Sequence, residues 1–211
     1  KNGLVKKTAV REYEVSRNNK TMSNMKLLDG DAVVKTMVAY AYDEILIASK
    51  NGFVSRYPVS LIPETSPHSK GVEAMNLVLD EIVSACISHG DASQLIVFTD
   101  QCQMKRIKLS DVDVTGRPTK GSMICKKVKS KPYQIAHIAL HDLNDELVII
   151  NEETQKILAK DISLMSKDAT FSSPLHTTQD YYFLRTLAAV EQRELPAIQE
   201  EKQEFEEIEL F

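Results

Sequence analysis

The residues that recur at fixed spacing in this 211-residue chain are lysines and arginines. Four similar segments each centre on a turn residue, Gly3, Gly52, Cys102 and Thr154, and the fourth position beyond the turn is Lys7, Arg56 and Arg106 in three of them. The preceding position adds Lys6 and Lys105. In an extended strand alternate side chains share a face, so Lys7, Arg56 and Arg106 fall on the side of Val5, Val54 and Met104. Parity of that kind fits a snorkelling or salt-bridging role as well as it fits contact with a ligand.

The third segment carries the densest charge. Lys105, Arg106, Lys108, Arg117, Lys120, Lys126, Lys127, Lys129 and Lys131 fall within 27 residues, against only Asp111 and Asp113. Lys70, in the loop SPHSKG of the second segment, and Lys6, Lys7 and Arg56 are counted with them as candidates for DNA contact. An ordinary solvated face would intersperse acids. Phosphate binding is therefore the chemistry expected of this patch. No aromatic base-stacking motif, recognition helix or zinc-finger spacing accompanies it, and Trp is absent. Backbone contact sensitive to DNA shape and salt is expected rather than base reading.

Catalytic patterns are missing. There is no GxxxxGK[ST], GxGxxG, GxSxG or HExxH. His68, His89, His137, His141 and His176 are scattered, and His137 alternates with apolar neighbours as a core or edge histidine would. Asp111/Asp113 and Asp142/Asp145 sit where turns are expected and read as turn and cap residues. Cys86, Cys102 and Cys125 form no CxxC pair or metal-spaced cluster, so free thiols in a reducing compartment are expected, with no metal site. No apolar run reaches eighteen residues, and the chain does not open on a secretory-type segment, so a cytoplasmic location with no membrane contact is expected. The sequon at Asn19 then has no use.

The elements that must position the basic residues repeat about every fifty residues. Each repeat opens on a short β-branched run (45–48, 95–98, 147–150), reads as a strand buried on both faces, and turns at Asn2-Gly3, Asn51-Gly52, Cys102 or Thr154. Cys102 and Thr154 lack the Asn-Gly chemistry, and looser turns are expected there. A second strand, a Ser/Pro/Gly loop and a third strand (VEAMNL, SMICKKV) follow. A fourth strand, 32–38, 81–87 or 134–140, closes each unit, with Val34, Val83 and Ile135 as equivalents. This is an all-β array of four-stranded blades, with repeats at about 1–43, 44–93, 94–144 and 145–189. The first repeat lacks its opening strand, which reads as a fragment of a longer array, and the fourth lacks the basic pair and reads as a degenerate terminal unit.

Formal net charge is -4, but residues 190–211 hold eight acids and two bases, which leaves 24 basic and 22 acidic residues in 1–189. A mildly basic body thus precedes an acidic tail, which either competes with DNA for the body or keeps it soluble.

EILIASKNGFVSR with SKGVEAMNL, and QLIVFTDQCQMKR with the Gly116 to Gly121 loop GRPTKG, resemble the C-terminal domains of the A subunits of bacterial type IIA topoisomerases, gyrase and topoisomerase IV. The resemblance runs over about residues 1–185 and is weakest in the fourth repeat. It implies a β-pinwheel, a propeller-like disc whose blades exchange strands, with duplex DNA bent around a basic rim. It also implies that the cleaving tyrosine, ATP and magnesium belong elsewhere in the holoenzyme, so this domain is non-catalytic and needs no cofactor. The partners implied are double-stranded DNA, the rest of the topoisomerase polypeptide, and the second type of polypeptide in an A2B2 assembly. A gyrase-type QRRGGKG box is absent, so the chain looks more like topoisomerase IV than gyrase. The alternatives are a gyrase DNA-wrapping domain and a protein-interaction propeller that binds no DNA.

Overall fold

In the computed structural model, residues 1–14, 22, 24–90, 94–125, 132–150, 154–172 and 182–184 are described. The strands are β1 (Leu4–Val5), β2 (Glu44–Ser49), β3 (Phe53–Pro58), β4 (Val72–Glu73), β5 (Ile82–Ser88), β6 (Gln94–Thr99), β7 (Met104–Lys108), β8 (Ser122–Met123), β9 (Ile135–Leu140), β10 (Glu146–Ile150), β11 (Thr154–Leu158) and β12 (Tyr182–Leu184). All pairing is antiparallel within the sheets, and the described residues contain no α-helix. The architecture is an all-β pinwheel of repeated blades.

The opening strands β2, β6 and β10 are central in their sheets, and β2 and β6 are buried. Ile45, Leu46, Ile47 and Ala48 are covered, as are Leu95, Ile96, Val97 and Phe98. A strand flanked on both sides needs apolar residues on both faces, which explains runs that are continuous rather than alternating. The hairpins β2–β3 and β6–β7 have the same register, Ala48 facing Val54 and Phe98 facing Met104. Cys102 does not loosen its turn. It takes the same left-handed conformation as Gly52, φ 56° against 101°, and is buried.

The fourth repeat is counted differently in space than in sequence. Thr154 pairs with Ile150 and occupies the place of Val54 and Met104, not that of Gly52 and Cys102. A shorter turn accounts for the offset, because the 3₁₀ turns that follow each second strand begin at Val59, Leu109 and Ala159, a constant spacing. Lys156 therefore stands where Arg56 and Arg106 stand, and the fourth repeat keeps its cation. The closing strands are also shifted by one from the sequence alignment. Ser49 faces Ile82 and Thr99 faces Ile135, so Ile135 matches Ile82 and not Val83. Residues 32–38 form no ladder, and among the described residues no strand lies against them as β2 lies against β5.

The third strand of each blade leaves its own sheet. β8, from the third repeat, pairs with β3 of the second, giving the sheet order β5-β2-β3-β8, and β4 pairs with β1 in the same way. Ser172 repeats the contact with Met104. Two glycines make the exchange possible. A Cβ on Gly71 would lie 2.4 Å from the Val5 carbonyl oxygen, and one on Gly121 would lie 2.4 Å from that of Val54. Only a residue without a side chain admits backbones that close. The cores form between blades too: Leu46 and Val54 of the second repeat pack with Leu95, Ile107 and Ile124 of the third. Deeper in the disc, β5 and β9 lie side by side, with the Ser84 hydroxyl accepting from Ile138 N at 3.2 Å.

Candidate nucleic-acid interface

The recurring cations of the second strands point across the seams between blades. Arg56 Nε donates to Glu44 Oε2 at 2.7 Å within its own hairpin, while its Nη1 donates to the carbonyl oxygens of Leu109 (2.9 Å) and Val112 (3.3 Å) in the next blade. Arg106 repeats the pattern with Gln94 Oε1, Ile162 O and Lys160 O. Lys7 reaches Val59 O at 3.3 Å. The three cations thus bind successive copies of one 3₁₀ turn. Val59 O and Leu109 O each also accept the N–H that closes their own turn, from Ile62 and Val112, so the cation is a second donor to a carbonyl with two lone pairs. The backbone joins in: Thr65, Thr115 and Met165 donate their N–H groups to the carbonyls of Lys7, Arg56 and Arg106.

The preceding position makes a second clasp. Lys105 is fully buried, with Nζ donating to Lys167 O (2.7 Å) and Ala169 O (2.9 Å) and lying 4.6 Å from the centre of the Phe171 ring. Burial pulls its pKa down to about 8 despite the opposing pull of Cys125 and Asp168. Lys6 binds Pro67 O at 2.6 Å and Asn24 O. In the second blade the position is Ser55, and the cation comes from the other side: Arg117 Nε donates to Leu61 O at 3.2 Å and Nη1 to Glu73 O. Ser55 Oγ and Tyr57 Oη are left buried without partners at that seam.

Of the thirteen basic residues singled out from sequence, Lys6, Lys7, Arg56, Lys105, Arg106 and Arg117 are therefore engaged by backbone carbonyls of a neighbouring blade. Within each hairpin the cation also meets a polar side chain of the opening strand, Glu44 with Arg56, Gln94 with Arg106 and Glu146 with Lys156, where Lys156 Nζ is 3.1 Å from Glu146 Oε2. Lys70, Lys108 and Lys120 remain exposed. Lys70 and Lys120 each precede a contact glycine, Gly71 or Gly121, and so stand against the outermost strand of the preceding blade. Lys120 Nζ lies 4.5 Å from the centre of the Phe53 ring. Lys126, Lys127, Lys129 and Lys131, like residues 190–211, lie outside the described residues.

Other titratable groups are structural. His137 sits 3.0 Å from Ser84 Oγ, and burial, with help from Lys35 and His141, lowers its pKa to about 4. Asp145 accepts from Asp142 N and stands 3.2 Å from His141 Nδ1; Asp43, fully buried, accepts from Tyr40 N and faces His89 Nδ1 at 2.9 Å. Cys86, Cys102 and Cys125 form no disulfide, and burial pushes the Cys86 thiol up to about 12. No metal-ligating cluster occurs among the described residues, nor does any helix there have the length and apolarity to cross a membrane.

The family model described as "DNA gyrase C-terminal domain, beta-propeller" matches residues 1–39, 43–89 and 93–142. The chain belongs to this family. Curated relatives include the DNA topoisomerase 4 A-type polypeptide of Staphylococcus epidermidis, 24% identical over 86% of this chain and 23% of the relative, and that of Bacillus subtilis, 24% identical over 74% and 19%. The chain thus spans about a quarter or less of their length. Among solved structures, the C-terminal domain of DNA topoisomerase IV matches with TM-score 0.77 and 25% identity over 82% of this chain and 55% of that one. The DNA gyrase A C-terminal domain matches in fold with TM-score 0.69, at 20% identity over 75% of this chain and 55% of that one. As a member of the gyrase and topoisomerase IV C-terminal family, the chain has the repeated pinwheel blade as its unit.

Proposed function

We propose that this chain is the DNA-binding C-terminal part of the A-type polypeptide of a topoisomerase IV, holding and bending duplex DNA without reading its sequence while cleavage and ATP hydrolysis occur elsewhere in the enzyme. The observation that carries the reading is the repeated placement of Lys70 and Lys120, exposed, one blade apart, each over the outer strand of the blade before. No salt bridge occupies either ammonium among the described residues. Equivalent cations on successive blades match the polyanionic backbone of a duplex that runs along the rim. Lys108, also exposed, adds to the same charge.

The test is a titration of the 211-residue chain against unrelated duplexes of one length. Tight binding at low salt, equal across sequences and falling steeply as salt rises, is expected. Replacing Lys70 and Lys120 with Gln lowers the salt slope by about 0.9 for each phosphate contact removed. No binding to any duplex at low salt would leave the protein-interaction propeller as the reading.

A further inference from the structure

The loop that enters β5 carries an apolar prong, Val78 and Leu79, 76% and 98% exposed. Two features set Leu79 apart from an incidental surface leucine. Its backbone is left-handed, φ 50°, and the same place in the first blade holds Gly30, φ 74°, the matching being fixed by Asp31 and Asp80, which accept from Asn2 N and Asn51 N in turn. A leucine in a conformation that suits glycine is held there against its own preference. The loop is also pinned: Asn51 Nδ2 donates to Leu79 O at 3.1 Å, and the Asp80 carboxylate accepts from both Asn51 N and Glu81 N. Leu77 is turned inward toward Gly3, so the two residues that project are Val78 and Leu79.

The prong is tied to the neighbourhood of Lys120. Asn76 N donates to Thr119 O at 2.9 Å, which ties the base of the prong to the residue next to Lys120. A binding partner for this neighbourhood must therefore present negative charge next to an apolar slot. A duplex does, between phosphates and the stacked faces of a base step. Architectural proteins insert Leu, Ile, Met, Phe or Pro into such steps and kink the duplex.

We propose that Val78 and Leu79 form a wedge that enters a base step of the bound duplex, with Lys120 holding the adjacent phosphates. The inference rests on the DNA-binding reading above and adds how the DNA is bent. Flexible pyrimidine–purine steps would be preferred at the wedge, giving a weak sequence bias from deformability without base contacts.

The probe is a short duplex carrying 2-aminopurine at a central TA step and a dye pair at its ends, titrated with the 211-residue chain, with Leu79→Gly, and with Val78→Ser/Leu79→Gly. Glycine suits the left-handed position, so the variants keep the loop. Binding by the parent chain is expected to raise 2-aminopurine fluorescence and shorten the end-to-end distance. The double variant is expected to abolish the fluorescence rise and weaken binding about fivefold to tenfold, with the salt slope unchanged. A parent chain that binds with silent 2-aminopurine at every step tested, or a double variant that unstacks and bends DNA as the parent does, overturns the wedge and leaves DNA binding standing. In the second case the prong is assigned to contact with another protein segment. A parent chain that binds no duplex overturns both.

Discussion

Arg56 and Glu44 are bound across one hairpin, Nη2 to Oε2 at 2.6 Å, while the same guanidinium also serves carbonyls of the next blade. The carboxylate fixes the fork, and the fork closes the seam. Arg56 is only 16% exposed, so removing it leaves the Glu44 carboxylate without its cation and takes a donor from Leu109 O and Val112 O, of which Leu109 O keeps the Val112 N–H. Arg56→Ala is expected to cost about 2–4 kcal/mol, seen as a fall of roughly 5–15 °C in the thermal midpoint by calorimetry. Lys156, in the same place but 61% exposed, is the contrast: Lys156→Ala should change stability by less than about 0.5 kcal/mol.

Lys105 supplies a pH dependence of definite sign. Its folded pKa, about 8, lies below its unfolded value near 10.4. Between these values the unfolded chain binds a proton that the folded chain does not, so stability rises as pH increases from about 8 to about 10. Below pH 8 the contribution is flat. Melting curves of the parent and Lys105→Met should diverge over that window, the parent gaining relative to the variant; parallel curves would remove the shifted lysine.

The contact glycines should be far less replaceable than a glycine in open space. Gly121→Ala drives a Cβ into backbone atoms of Val54 and Ser55 in addition to straining a φ of 81°, and a loss of about 2–4 kcal/mol is expected. Gly30→Ala meets nothing within 4 Å and pays only for its φ, about 1 kcal/mol. Urea midpoints of the two variants make the comparison.

Leu79→Gly should raise stability, or leave it unchanged, by up to about 1 kcal/mol, because relief of left-handed strain is partly offset by the added freedom of the unfolded chain. Stability that falls instead would mean that the exposed side chain has packing duties.

The opening strands and the Asn51-Gly52 turn are legible in the sequence because apolar runs and turn residues carry local signatures. The destination of Arg56 is not, since its partners are main-chain carbonyls more than fifty residues away and a carbonyl has no letter in the sequence. Lys156 escapes for a different reason. Counting from the turn starts at the one part of the fourth repeat that is shortened, whereas counting from the 3₁₀ residues Val59, Leu109 and Ala159 recovers it. Lys70 and Lys120 can be matched through their glycines, yet nothing in their letters separates them from Lys105, which is equally basic and wholly buried.

The traded strands β4 and β8 have a consequence for how the molecule comes apart. A blade whose outer position is filled by its neighbour cannot melt privately: losing β8 strips β3 as well, and the loss passes to the adjoining unit. The cooperative unit is then the seam rather than the repeat, as in arrays where nearest-neighbour coupling dominates intrinsic repeat stability. Excising one internal blade would expose two faces at once, Arg56-type cations on one and the 3₁₀ carbonyls they served on the other, so blade number in such a disc should change by whole-seam replacement and seldom by simple deletion.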